Sequence, residues 1–374
     1  MWCYRYLRWI DFRIFPFILA LMGISLLVNS AMTQIEGGNV FLTNSVVAQI
    51  QWFVLGWIGY FFFAGVDYQQ LRSWSWALYV GVILLLVGLF LTTPIQHVQR
   101  WYRLPFLGRG FQPSEYAKII LIIVLSHFLD SKAKSTCSFR TVIQALILAA
   151  IPFFLILKQP DLGSALVLYP MILVIFYVGG IHKTLVRSMA LFGIAILLLV
   201  GLIFTHLISY ETLRPYATAF LKEYQYERLN PHTYHQKAAQ TAIALGGVCG
   251  SGWHKSTFSG HEWLPAAHTD SAFAAYAEEF GLTGVIFMLL CFFGLIYFSF
   301  QVTAKAKDPF GKLLSLGITI YLATHVIVNI GMMCGFLPIT GVPLLLITYG
   351  GSSVVSTMVA LGVLQSIYSR RFLF

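Results

Sequence analysis

Residues 14–32 read IFPFILALMGISLLVNSAM, a run without a single charged side chain. A helix of about 20 mostly apolar residues is long enough to cross the hydrocarbon of a bilayer. Nine further windows of this kind follow, over 46–66, 74–93, 113–129, 141–157, 164–180, 185–206, 272–300, 313–335 and 344–367. The fourth to sixth are the weakest, being short or interrupted by Pro or charge. In hydrocarbon each backbone N–H and C=O needs a partner within the protein, which windows of this length find as helices. Arg5, Arg8 and Arg13 ahead of the first run, and Ser30-Ala31 near its end, also resemble a secretory signal. The run is longer than a signal core and more spans follow it, so it reads as a first anchor.

Composition agrees. Hydrophobic residues make up 58% of the 374 and charged residues 10%, against about a quarter charged in soluble domains, and the mean hydropathy is +0.77. The expected fold is all-α: one membrane domain over 1–374, a bundle of about ten spans, with a large extracytoplasmic loop near 207–271.

The formal charge of +10 would suggest nucleic acid in a soluble protein, but here the positive-inside bias accounts for it. With the N-terminus in the cytoplasm, 14 of the 24 Lys and Arg fall inside, among them Arg72, Lys132, Lys134, Arg140, Lys305 and Arg370. Arg100, Arg103, Arg109, Lys158, Arg214, Lys222, Arg228, Lys237 and Lys255 fall outside, Lys118 lies within a span, and both termini are cytoplasmic. The five cysteines are scattered without a CxxC and read as packing residues. Positive charge on the outer face, against the orientation bias, points to an anionic ligand there. A polar stretch of the length of Leu207–Asp270 inside a membrane domain points to function too.

Four polar segments stand at membrane depth, where ionisable residues default to functional hypotheses. In Phe111-Gln112-Pro113-Ser114-Glu115-Tyr116-Ala117-Lys118, Pro113 suits the first helical position and Glu115 and Lys118 share a face at i,i+3. They make either a structural ion pair or part of a site. Lys158-Gln159-Pro160-Asp161-Leu162-Gly163 repeats the Gln-Pro-acid pattern, as a helix cap or as a second wall of one cavity. His261-Glu262-Trp263-Leu264-Pro265-Ala266-Ala267-His268-Thr269-Asp270 ends the long loop. It matches no strong metal-ligand spacing, so its carboxylates are either solvated loop acids or a general base for a hydroxyl. Gly335 to Pro343 with Thr348-Tyr349-Gly350-Gly351-Ser352-Ser353 combines turns with small residues, for tight packing or for unwound backbone.

Taken together and in order, these segments, with Glu278-Glu279-Phe280-Gly281 and Pro231 to Gln236, resemble the SEDS family (shape, elongation, division and sporulation) over about residues 10–370. Gly341-Val342-Pro343 after Leu337-Pro338 is similar to its RodA branch more than to the FtsW division branch. The resemblance implies a peptidoglycan glycosyltransferase at the outer face of the bacterial cytoplasmic membrane, serving cell elongation and shape. It would polymerise lipid II with inversion as the polyprenyl pyrophosphate leaves. By the same resemblance Asp270 is the catalytic base. Arg100, Arg103, Arg109, Lys118 and Lys255 are candidate cations for the pyrophosphate, Trp101 a candidate sugar-facing aromatic, and Glu115, Asp161 and His268 candidates to shape the substrate site. A divalent cation, Mg2+ or Mn2+, could share the charge, though no dedicated cage is visible; no organic cofactor is implied. The implied partners are a class B penicillin-binding protein transpeptidase, the cell-elongation machinery and membrane lipids. Ala266-Ala267, Ser271 and Leu345 depart from the family's usual residues and bear on fine substrate preference. A lipid II flippase and a non-catalytic scaffold are the competing readings; only the polymerase needs the Asp270 carboxylate in detergent.

Overall fold

The computed structural model describes residues 9–33, 41–92, 100–104, 109–205, 207–218 and 223–371. Among these residues ten long helices form the bundle: α1 (Phe15–Met32), α2 (Asn44–Gly65), α3 (Tyr68–Gly88), α4 (Pro113–Ser131), α5 (Phe139–Lys158), α6 (Leu162–Val178), α7 (Lys183–Phe204), α11 (Ala272–Lys305), α12 (Pro309–Met333) and α13 (Gly351–Ser369). Three shorter helices, α8 (Tyr210–Ala217), α9 (Glu223–Glu227) and α10 (Tyr234–Gly246), occupy the long polar stretch. Strands β1 (Tyr102–Leu104) and β2 (Arg109–Phe111) pair antiparallel, Arg103 opposite Gly110, as a small hairpin ahead of α4.

The helix starts are written locally. Side chains of Thr43, Asp67, Ser138, Asp161, Thr233 and Asp308 each accept from a backbone N–H of the first turn of α2, α3, α5, α6, α10 and α12, using donors the helix itself leaves unpaired. Pro stands in the first turn of α1, α4 and α12, where its missing N–H leaves no bond unmade.

Each expected span coincides with one long helix, but the ten are not equivalent. Eight are long and apolar enough to cross a membrane. The other two are α6, one turn shorter than most, and α4, which carries Glu115, Lys118 and Asp130 and is buried along most of its length. Among the eight, α12 and α13 are the most enclosed by protein and α7 the least.

Two departures from the hydropathy reading bear on the site. The last span, expected from 344, becomes helical only at Gly351. Leu344, Leu345, Leu346 and Ile347 are apolar and fully buried, yet they lie in irregular backbone. Such backbone is tolerated at membrane depth only where protein encloses it. Pro343 precedes the stretch, and the Thr348 hydroxyl oxygen accepts from the Leu344 N–H at 2.9 Å. Second, α11 is broken at Gly281 (φ +62°, ψ −165°). A Cβ there would lie 2.6 Å from the Val248 carbonyl oxygen, so only glycine lets the loop after α10 dock into the break.

Just before that break, Glu278 accepts from the Phe258 N–H at 2.8 Å, the Ser259 N–H at 2.9 Å and the Ser259 hydroxyl. Glu279 accepts from the His254 N–H at 3.1 Å. Two buried carboxylates thus anchor the 251–259 loop. Trp253 carries it onto α1 by donating to the Leu27 carbonyl at 3.3 Å.

Candidate active site

Asp270 lies at the end of the long polar stretch, just ahead of α11, partly buried. Its backbone is held in an unusual way, because three successive carbonyls each accept a hydrogen bond from the C-terminal third of the chain. The Tyr349 N–H donates to His268 O at 3.0 Å, the Thr348 hydroxyl to Thr269 O at 3.2 Å, and the Asn329 carboxamide to Asp270 O at 3.1 Å. From inside, the Ser271 N–H donates to Ala266 O at 3.1 Å.

The carboxyl group itself is surrounded by charge. Burial pushes its pKa above the ordinary aspartate value and the nearby Asp161 adds to the rise, while Arg100 and Arg228 oppose it. A carboxylate so placed is a better proton acceptor than a solvated one. Burial also holds the neighbouring His268 imidazole below its usual pKa, and its ring meets Tyr349 edge-on at 6.0 Å.

Asp161 caps α6 and gathers the second wall. Its Oδ2 accepts from Ser164 Oγ at 2.9 Å, Ser114 Oγ at 3.0 Å and Gln112 Nε2 at 3.3 Å, and its Oδ1 accepts from the Ser164 N–H at 3.2 Å. The two Gln-Pro-acid segments are therefore one hydrogen-bonded structure joining the starts of α4 and α6. Arg100 leans across it, donating to the Gln159 carbonyl at 3.2 Å and to the Pro160 carbonyl, with Nη1 3.9 Å from Asp161 Oδ1. Next along the chain, a Cβ on Gly163 would come 2.8 Å from Thr340 O. Arg228 donates to that same carbonyl at 3.3 Å. The 340–343 segment is thus the partition between the Asp161 wall and Asp270.

Behind the partition stands a second charged cluster. Lys118 and Glu115, both fully buried, pair at 2.8 Å. The Lys118 ammonium also reaches His325 Nε2 at 3.0 Å, and His325 Nδ1 reaches the Pro343 carbonyl at 3.1 Å. A carbonyl can only accept and an ammonium can only donate, so His325 is the neutral tautomer with its proton on Nδ1. The pair that helical spacing brings together is therefore tied, through α12, to the irregular segment beside Asp270.

The remaining expected residues are dispersed. Trp101 lies against Gly110 of the hairpin, where a Cβ would meet its ring at 2.8 Å. Arg103 and Arg109 belong to β1 and β2 as backbone partners of Gly110 and Leu104, and their side chains lie outside the described residues. Lys255 is exposed on the loop that Glu278 and Glu279 hold toward α1, and takes no part in the contacts around Asp270. Among the described residues no three His, Cys, Asp or Glu side chains converge as a metal site.

Residue spacing gave no role to Arg228, His325 or Asn329. The signal for the last two was present: a His and an Asn inside an otherwise apolar window are costly unless they have partners. For Arg228 only an outer-face charge was visible, with nothing to say which carbonyl it would meet.

The family model for cell cycle proteins of the FtsW, RodA and SpoVE type matches residues 8–371. The peptidoglycan glycosyltransferase MrdB of Escherichia coli (strain K12) is 31% identical over 379 residues, covering 97% of this chain and 95% of its own. A probable peptidoglycan glycosyltransferase FtsW of Geobacter metallireducens is 32% identical over 82% of this chain and 80% of its own. Among solved structures, a chain from a peptidoglycan synthase complex that coordinates polymerization and crosslinking superposes with a TM-score of 0.77 at 25% identity. That match covers 98% of this chain and 99% of that one. The rod shape determining protein RodA of Thermus thermophilus superposes with a TM-score of 0.70 over 97% of this chain, at 23% identity, and shares the fold.

Proposed function

This chain belongs to the FtsW, RodA and SpoVE family of cell cycle proteins, and from that premise we propose that it polymerises lipid II into glycan strands for cell elongation. It is a peptidoglycan glycosyltransferase of the bacterial inner membrane. The observation that carries the mechanistic reading is the Asp270 carboxylate, borne on a loop whose carbonyls at His268, Thr269 and Asp270 each accept a hydrogen bond, and flanked by Arg100, Asp161 and Arg228.

The reaction needs a base, an anion site and a rigid frame. The acceptor sugar's 4-hydroxyl gives its proton to Asp270 as its oxygen bonds to the donor's anomeric carbon. The bond from that carbon to the pyrophosphate breaks, and the electron pair leaves with the polyprenyl pyrophosphate. A single displacement inverts the anomeric centre. Arg100 and Arg228 supply charge-assisted bonds for the leaving group, while Asp161 fixes the start of α6 and carries Arg100 beside it. Trp101 offers an apolar face for a sugar ring.

The residues do not fit a protein-built metal cage. Asp161 Oδ2 is already filled by three donors, and the carboxylate beside it, Asp270, is reserved for the acceptor's proton. The transpeptidase partner is a class B penicillin-binding protein, an assignment supported by the likeness to a chain of a polymerising and crosslinking complex. Both termini lie in the cytoplasm, an orientation supported by the distribution of Lys and Arg.

The test is polymerisation of labelled lipid II by the purified chain with its transpeptidase, with and without Mg2+ or Mn2+, beside Asp270→Asn checked for equal folding. Polymer from the wild type and none from the variant is the expected result. Equal polymer from both removes Asp270 as the base.

A further inference from the structure

We infer that Asn329 is a positioning residue for the reaction, holding the backbone of Asp270 in register with the irregular segment that partitions the site. The inference rests on the reading of Asp270 as the base.

Asn329 sits on α12, fully buried. Its single carboxamide nitrogen donates twice, to Asp270 O at 3.1 Å and to Val342 O at 2.7 Å. The two acceptors, on Asp270 and Val342, belong to chain segments far apart in sequence. Asn329 is thus a two-armed clamp whose closure sets the distance between them. The neighbouring contacts depend on that distance: a Cβ on Gly341 would stand 3.2 Å from Asp270 Oδ2, and the next carbonyl, Pro343 O, is held by His325 one turn earlier on α12.

The chemistry of the clamp is specific. Both hydrogens of the NH2 group are used, and Asn329 Oδ1 meets no partner among the described residues. A buried amide with an unpartnered oxygen is an expensive way to fill space. An apolar residue of the same size would pack as well without that cost, so the two donated bonds are what the side chain provides. The other two carbonyls of the loop are held by Tyr349 N–H and Thr348 Oγ, from the stretch leading into α13. Among the described residues, Asn329 ties Asp270 to α12 by a hydrogen bond, and α12 is the most enclosed of the spans together with α13.

The test uses the purified complex with its transpeptidase and labelled lipid II, comparing wild type, Asn329→Leu, Asn329→Gln and Asp270→Asn. Leu keeps the volume and removes both donors, while Gln keeps the carboxamide and displaces it by one methylene. A reacting group misplaced by about 1 Å loses roughly 10- to 100-fold in rate, so Asn329→Leu is expected to lower kcat by that range with KM within about twofold. The acid limb of kcat/KM should also move, because Asp270 shifts relative to Arg100, Asp161 and Arg228. Asn329→Gln should lie between the two and serves alone if the Leu variant does not fold. Folded Leu or Gln variants with wild-type kcat and an unmoved limb overturn the clamp. If Asp270→Asn still polymerises, the reading of Asp270 as base fails first and the clamp falls with it.

Discussion

Gly341 lies so close to Asp270 that a methyl group on its Cα would stand 3.2 Å from the carboxylate, and its φ is +77°. Two constraints therefore fall on one position. Gly341→Ala should cost about 1–2 kcal/mol of stability, the usual penalty for a left-handed alanine. It should lower polymerisation by more than that loss explains, because the added carbon crowds the base. Thermal melting in detergent beside polymer yield separates the two effects.

Asp270 carries the pH dependence. Its folded pKa is raised above the unfolded value near 3.8, so the folded state binds the proton more tightly. The contribution of this group to stability then falls as pH rises from the unfolded pKa through the folded one. Catalysis by the same group needs the ionised form, so the acid limb of the rate profile should lie above that of an ordinary aspartate. Asp270→Asn should abolish polymerisation and raise the melting temperature at neutral pH. A variant that melts lower than the wild type there contradicts the assignment of burial as the dominant cause.

Lys118 and Glu115 should behave as a coupled pair. Removing one partner of a buried ion pair costs about 3–5 kcal/mol, because the other charge is left uncompensated. Lys118→Met and Glu115→Gln should each be strongly destabilising, and the double variant should recover much of the loss. A double-mutant cycle on melting temperatures measures the recovery.

His325 should be neutral with its proton on Nδ1, because it stands between an ammonium and a carbonyl. Nitrogen-15 imidazole shifts report this directly: a protonated Nδ1 and a bare Nε2 are expected at neutral pH. The opposite tautomer would break the link from Lys118 to Pro343.

Glu278 should govern the mobility of the 251–259 loop, since its carboxylate accepts from two backbone amides and a hydroxyl there. Glu278→Ala leaves those donors unpaired, at about 1–3 kcal/mol each where they stay buried. Hydrogen exchange at Phe258 and Ser259 should accelerate first.

Much of this is legible in the sequence itself. Hydropathy placed the ten long helices because lipid and protein interior both select apolar residues. The i,i+3 spacing brought Glu115 to Lys118 because one helix face settles the matter. Leu344 to Ile347 mislead because apolar residues look alike in a span and in buried irregular backbone, and what separates them is tertiary: the Thr348 cap and the docked 268–270 turn. The meeting of Arg100 with Asp161 across two loops left no trace in spacing. Lys255 carried a charge of the right sign, but the carboxylates that steer its loop toward α1 lie on α11.

The last helix packs along one of the first. A Cβ on Gly56 of α2 would meet Met358 of α13 at 2.9 Å, and one on Gly362 of α13 would meet the Tyr60 carbonyl at 2.5 Å. The stretch that grips His268 and Thr269 leads directly into α13. His268 and Thr269 can therefore be gripped only once Thr348 and Tyr349 have been synthesised and folded back onto them. The frame around Asp270 is thereby a late product of synthesis, although the residue it frames is made well before it.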